Sequence, residues 1–352
     1  MSTTTPIASA ARMLGEVDDS TVVVAAPDVD SEFLDGRRWR VTTAVRSVEV
    51  RLDEERFRAV RRVVRDILPR LDRALPLREQ LGPADSDRLA PLLESLGSIG
   101  VLLFPTPAAA TQIVDAETLG LYCYLARRSD EADVHFVQIR SRRIDVVGPP
   151  ALVGAWSSSL RRQGLLVGAD RAWDGSGEAP RPADAALAVV AVLSRDASGA
   201  DADQSLSSLN ERWCRAGQRW VPVVVTPKTT RIGPWTAPGQ AACLGCALAF
   251  RGDRDAALRV PPPGRSHGAR PIAWSTATAW STCQPGPVAW AGGLLTHQLL
   301  RAFVPIAEHH PWGSETTLDT ERLAQHTVRL WRDPHCLHCG TPRGRSQAWR
   351  EA

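Results

Sequence analysis

Two C-x-x-C turns constrain this chain more than any other feature: Cys243 and Cys246 in AACLGCA, and Cys336 and Cys339 in DPHCLHCG. Such a turn aims two thiolates at one point, and two of them complete the tetrahedral sulfur shell of a structural zinc ion. The 89 residues between Cys246 and Cys336 far exceed a zinc-finger spacing, so a surrounding domain must bring the turns together. Four thiolates leave no open coordination position. A zinc held this way is a staple, and its binding free energy counts toward folding. Two redox-active turns or buried free thiols are the alternatives that the spacing leaves. His335 and His338 flank the last pair as substitute ligands, but the complete cysteine set makes them bystanders. Cys123, Cys214 and Cys283 lie in apolar or Trp-rich contexts and read as small core residues.

The 352 residues are enough for two domains, and 43% hydrophobic with 23% charged residues is a globular composition. The longest apolar run, AALAVVAVL at 185–193, has the length of a buried strand and falls well short of a membrane span. The N-terminus lacks a basic start followed by an apolar core, so no secretory signal is read there and a cytoplasmic location is expected. With 42 basic against 39 acidic residues the net charge is only +3, too balanced to drive nucleic-acid binding. The one lysine, Lys228 in TPKTT, lacks the leading glycines of a phosphate-cradling P-loop. No nucleic-acid or membrane partner is therefore expected.

Residues 1–28 read as a loose arm, with room for one strand at the short apolar patch Val22 to Ala26. From residue 29 the text gives strand-like FLDGRRWRVTT and SVEVRL. Asp53 then stands as a helix N-cap before DEERFRAVRRVVRDIL, where Phe57, Val60, Val63, Val64, Ile67 and Leu68 recur at helical spacing. A break at Gly82-Pro83, a second helix carrying Leu89, Leu92, Leu93 and Leu96, and a final strand in GVLLFP complete a small α+β unit over 29–106. This is the pattern of a winged helix-turn-helix. That shape either docks a helix in DNA or adds a peptide strand to its sheet edge, and the charge balance favours the peptide.

Connecting helices occupy 107–140, around ETLGLYCYLARR and EADVHFVQIR. A second, α/β domain spans 141–342, with a short tail at 343–352. RRIDVVGPPALVGAWSSSLRRQGLLVGA reads as strand, glycine turn, helix and strand, the start of a βαβ dinucleotide fold. ALAVVAVL, SLNERWCRAG with Gly217 as its stop, and RWVPVVVT continue as strand, helix and strand, which implies a mostly parallel sheet. The glycine turn is defective. A phosphate-binding turn needs G-x-G-x-x-G so that backbone N–H groups can approach the anion, whereas this chain has Gly148, Pro149, Pro150 and then Gly154. Proline at the second glycine removes a donor and fills the space. Asp170 and Asp174 are the acids placed to meet a ribose, and a Rossmann-like scaffold without nucleotide is the expectation. His297 lies among apolar helical positions and reads as packing, and no G-x-S-x-G, HExxH or paired-carboxylate signature occurs. The Trp-rich stretch from Trp274 to Trp290 fits either a partner surface or core filler.

RIDVVGPPALVG, LNERWCRAGQRWVPVVV, TRIGPWTAPGQAACLGCALAFR and the closing DPHCLHCG follow one another in a family's order. Over about residues 140–340 the chain resembles the ThiF-like family of ubiquitin-activating-type folds. More narrowly, it resembles the leader-peptide-binding partner proteins of thiazole/oxazole-modified peptide biosynthesis, a class of ribosomally made natural products. Adenylating members hold ATP on the glycine turn, with an arginine at its phosphates and an acid for magnesium. This chain has no convincing match for the last two, and its turn carries prolines. The resemblance therefore implies an inactive partner that keeps the fold and the zinc, does not bind ATP productively, and leaves cyclodehydration to a separate YcaO enzyme. It also implies that the leader adds a strand beside the third strand of the N-terminal element, at Arg46, Val48, Val50 and Leu52. Leu89, Leu92, Leu93 and Leu96 of the last helix would form the opposite wall. Related folds often form homodimers, so the resemblance leaves a homodimer open. An active ATP-dependent adenylating enzyme acting on a peptide carboxylate is the alternative.

Overall fold

The computed structural model describes residues 21–35, 37–173, 186–194, 200–257, 285–304 and 310–340, and the chain divides after Ser141 into two units. Trp274, Cys283, Asp174, most of the arm and the C-terminal tail lie outside the described residues.

The N-terminal unit starts with β1 (Val22–Ala25), whose Val23 and Val24 are fully buried. The strand allowed for in the arm is thus formed, and it belongs to the core because three consecutive valines are too apolar to remain solvated. Next come β2 (Asp30–Asp35), β3 (Arg38–Thr42) and β4 (Ser47–Arg51), an antiparallel meander in the order β2-β3-β4. The run read as one strand-like segment, FLDGRRWRVTT, breaks into two because the Asp35 carboxylate accepts the backbone N–H groups of Arg37 and Arg38 at 2.9 and 2.8 Å and closes a turn.

Asp53 caps α1 (Glu54–Arg62) by accepting the Arg56 N–H, and the helix continues as a π turn over 63–67. Its buried stripe is the expected one, with Phe57, Val60, Val63 and Ile67 inside. After β5 (Leu75–Pro76) and α2 (Leu77–Leu81), Gly82 and Pro83 interrupt the chain as the sequence predicts, and α3 (Pro83–Ser98) follows. β6 (Leu102–Leu103) does not join the meander. It pairs with β1, which also pairs with β5, in a second small sheet. One core unites both sheets with α1 to α3, and each fully buried leucine or valine in it contributes about 1.5–3 kcal/mol. The unit ends with α4 (Pro107–Ala110), α5 (Ala116–Ala126) and α6 (Ala132–Arg140).

The C-terminal unit runs β7 (Ile144–Gly148), α7 (Pro150–Arg161), β8 (Val167–Ala172), β9 (Leu187–Leu193), α8 (Ala200–Arg215), β10 (Trp220–Val225), β11 (Thr229–Ile232), α9 (Leu244–Ala257), α10 (Pro285–Phe303), β12 (Ser314–Asp319) and β13 (Ala324–Arg329). Its seven-stranded sheet has the order β13-β12-β11-β10-β9-β7-β8. β8, β7, β9 and β10 are parallel; β10 to β13 are antiparallel. The sheet is therefore mixed rather than mostly parallel. The short link at 226–228 allows only a hairpin between β10 and β11, because a parallel return needs a crossover of a dozen or more residues. Strand order reverses between β7 and β9, so right-handed crossovers put α7 and α8 on opposite faces. α8 and α9 cover one face through Leu206, Leu209, Trp213 and Leu244.

Candidate metal centre, glycine turn and sheet edge

Cys243 stands immediately before α9, and Cys246 lies in its first turn; Cys336 and Cys339 come from the segment after β13. The fold brings all four together, with their sulfur atoms within 4.8 Å of one another. Cys243 lies 3.6 Å from Cys336 and 3.9 Å from Cys246, and Cys246 lies 3.5 Å from Cys339. A tetrahedral zinc with bonds of about 2.3 Å requires sulfur–sulfur edges of about 3.8 Å, whereas a disulfide would need about 2.05 Å. The four thiols therefore fit a zinc ion and none of them is oxidised to its neighbour.

The neighbouring thiols, Cys214 first and then Cys246 and Cys339, push the Cys243 thiol down. The bond to Cys243 holds Cys246 up at about 11, and Cys339 is pushed up first by its own bond to Cys243. Four like charges cannot form together in so small a volume without a cation to discharge them.

Around the sulfurs stand partners that the sequence pattern did not single out. The Asn210 side-chain amide donates to Cys243 Sγ at 3.7 Å, its oxygen accepts from Leu244 N–H at 3.2 Å, and the Asp333 N–H donates to Cys246 Sγ at 3.5 Å. Cys214 is buried in the same cluster and donates to Asn210 Oδ1. No spacing rule links α8 to the C-x-x-C turns, which is why Asn210 was invisible. His338 is not a ligand: its ring lies over Gly245, where an added Cβ would come within 2.6 Å of it. His335 is exposed.

The glycine turn leads from β7 into α7. Gly148 has φ +148°, and a Cβ there would lie 2.6 Å from Ala191 Cβ, so glycine is required by the approach of β7 to β9. Pro149 and Pro150 then occupy the N-cap and N1 positions of α7. Neither carries an N–H, so two of the donors that a helix N-terminus offers an anion are missing. Val153, at the place of the third glycine of G-x-G-x-x-G, is buried; Gly154 is exposed, with nothing within 4 Å of an added Cβ. Asp170 accepts the Ser157 hydroxyl at 2.6 Å and pairs with Arg161 at 3.3 Å, so α7 already occupies it.

In the N-terminal unit, β4 pairs with β3 alone among the described residues. The bonds from Thr43 N–H to Arg46 O and from Leu52 N–H to Arg37 O, both 2.8 Å, fix the phase of the hairpin. Antiparallel alternation then turns the backbone groups of Val48 and Val50 toward β3 and leaves those of Ser47, Glu49 and Arg51 facing off the sheet. Val48, Val50 and Leu52 are half-buried, as are Leu89 and Leu92 of α3. Leu93 and Leu96 are 0% and 1% exposed, so they belong to the core and offer no wall to a peptide. Arg46 is engaged too, donating to the Ser98 carbonyl at the end of α3 at 3.1 Å. It ties strand to helix.

Asp28 and Arg127 hold the same hairpin from outside the expected element. Arg127 donates to Asp28 at 2.8 Å and to the Gly100 carbonyl at 2.7 Å, while Asp28 accepts the Ala44 N–H in the β3–β4 turn. Burial raises the Asp28 carboxyl, but bonds from Arg127, Cys123 and Ala44 outweigh it and hold the group at about 2. Cys123 donates to the same carboxylate and is itself pushed up to about 12, chiefly by burial.

No protein-family model matches the sequence, and no curated protein sequence matches it. Among solved structures the chain is similar to a heterocyclase in complex with substrate and cofactor, at 18% identity and a TM-score of 0.54, over 91% of this chain and 40% of that one. It is likewise similar to the heterocyclase TruD, at 18% identity and a TM-score of 0.51, over 91% and 43% of the two chains. The likeness of fold expected from the sequence holds, and this chain spans about two fifths of the length of those heterocyclases. Among the described residues no helix is long and apolar enough to cross a membrane.

Proposed function

We propose that this protein is a non-catalytic recognition subunit, cytoplasmic, which captures the leader of a ribosomally made precursor peptide and presents the Cys/Ser/Thr-rich core to a separate YcaO cyclodehydratase for azoline formation. The observation that carries the proposal is the edge of β4, a strand without a bulge and with three outward-facing backbone positions, in a unit whose α3 leucines Leu89 and Leu92 are left half-buried against the core. An added strand gains affinity from main-chain bonds and specificity from alternate side chains. The opposite edge is guarded: β2 carries a register shift between Phe33 and Asp35 and presents Asp30, Glu32 and Asp35.

The C-terminal unit supports the same assignment. A fold shared with part of two heterocyclases, an intact sulfur cluster, and an N-terminus of α7 stripped of donors together favour a scaffold over an adenylating enzyme. The zinc would supply rigidity and no chemistry, since four thiolates leave it no open position.

The test is titration of the protein with the fluorescently labelled leader of a precursor encoded beside it, repeated with Glu49→Pro and Glu49→Ala. Proline at 49 removes an outward N–H and leaves the β3 ladder intact, so it is expected to abolish binding while alanine retains most of it. Absence of leader binding by the parent protein, together with ATP–pyrophosphate exchange by this protein alone, would replace the scaffold with the adenylating enzyme.

A further inference from the structure

The outer face of the β2-β3-β4 meander carries a charge pattern that stops unfinished at its open edge. In one row Glu32, Arg40 and Glu49 stand side by side, with Arg40 at 3.3 Å from Glu32 and 3.6 Å from Glu49. That row alternates in sign and closes on itself. In the next row Asp35 pairs with Arg38 at 2.7 Å, and Arg38 also reaches Glu49 at 3.2 Å, but the residue directly opposite Arg38 on β4 is Arg51. Two cations therefore stand abreast, an arrangement that disfavours the sheet. The acids nearby are already shared, and Arg51 is exposed with no ion pair of its own among the described residues.

Arg51 is also one of the residues whose backbone faces off the sheet, so a strand added to β4 must place a residue next to it on the same face. Resting on the strand-addition function above, we infer that Arg51 is a specificity-determining residue: the bound peptide carries an aspartate or glutamate at the position paired with Arg51. Its flanking residues are apolar and fall on the face that carries Val48 and Val50. Glu49 makes no matching demand for a cation, because Arg38 and Arg40 already satisfy it. The ligand class is thus a strand of alternating apolar and polar residues with one obligatory carboxylate, which completes the second row as acid, base, base, acid.

The experiment uses the full chain and the labelled leader of the adjacent precursor, together with a set of leaders in which each acidic residue is singly replaced by arginine. Arg51→Glu is expected to weaken the parent leader about tenfold, and Arg51→Gln by a smaller factor. One charge-reversed leader is expected to regain its affinity on Arg51→Glu while losing it on the parent protein, a swap that a merely structural role for Arg51 does not produce. Undiminished binding of the parent leader by Arg51→Glu overturns the assignment, as does failure of every reversed leader to recover. If Glu49→Pro abolishes binding while Arg51→Glu leaves it unchanged, strand addition stands and the Arg51 inference falls. A parent protein that binds no leader removes both.

Discussion

The sulfur cluster and the glycine turn lie in one unit, and each sits where the chain enters a helix: α9 begins inside the first C-x-x-C, and α7 begins at Pro150. At the first, every donor needed for a tetrahedral ion is in place, with sulfur separations near those of a zinc shell, and Asn210 and the Asp333 amide already point at the thiolates. At the second, proline stands at the N-cap and N1 positions of α7, without the N–H groups that an anion would use, and Gly148 is required by packing against β9. The difference is between a set of groups complete for one ion and a turn whose glycine packing alone explains.

The largest effect that could break this contrast is removal of any metal that the four cysteines hold. Binding free energies of structural zinc are of the order of 10 kcal/mol, comparable to the whole stability of a domain, so metal-stripped protein and Cys336→Ser are expected to lose the C-terminal unit's folded core. Elemental analysis should give one zinc per chain, and a strong chelator should abolish near-UV circular dichroism from the buried tryptophans. A chelator that leaves that signal intact would return the four cysteines to ordinary buried thiols. A smaller but still substantial effect is expected of Gly148→Ala. The new Cβ meets Ala191 on β9 in a backbone conformation that side chains rarely adopt, so a loss of about 2–4 kcal/mol should appear as a lower urea midpoint. An unchanged midpoint would mean that Gly148 is not held by packing and that its retention needs another cause.

The parts of the molecule legible in the sequence were those written in short-range pattern. The cysteine spacing, the Asp53 cap, the helical stripe from Phe57 to Ile67, the Gly82-Pro83 break and the two wholly apolar strands β9 and β10 each follow from local rules. What was missed depends on partners distant in the chain. The strand β1 could be read only as part of an arm, without its place in the core, because its partners, β5 and β6, are two-residue strands with no periodicity to detect. Leu93 and Leu96 could be assigned to a peptide wall because a helix with apolar residues on two adjacent faces does not announce which one the core takes. Asp28 and Arg127, 99 residues apart, anchor the β3–β4 hairpin through a pair that no local motif encodes.

Gly154 supplies the finest comparison, because it looks like the remnant of a nucleotide turn and has no contact that would keep it one. In a G-x-G-x-x-G turn the third glycine lets helix and strand pack closely, and here buried Val153 holds that register position. Gly154 faces solvent in the first half of α7, where glycine costs about 0.5–1 kcal/mol relative to alanine through lost backbone entropy. Gly154→Ala should therefore raise the stability by about that amount, read as a higher urea midpoint, and leave leader binding unchanged, the opposite sign to Gly148→Ala only six residues away. If Gly154→Ala instead destabilised the protein or altered leader affinity, a ligand or partner backbone would have to approach α7 there, and the turn would regain a function that its prolines argue against.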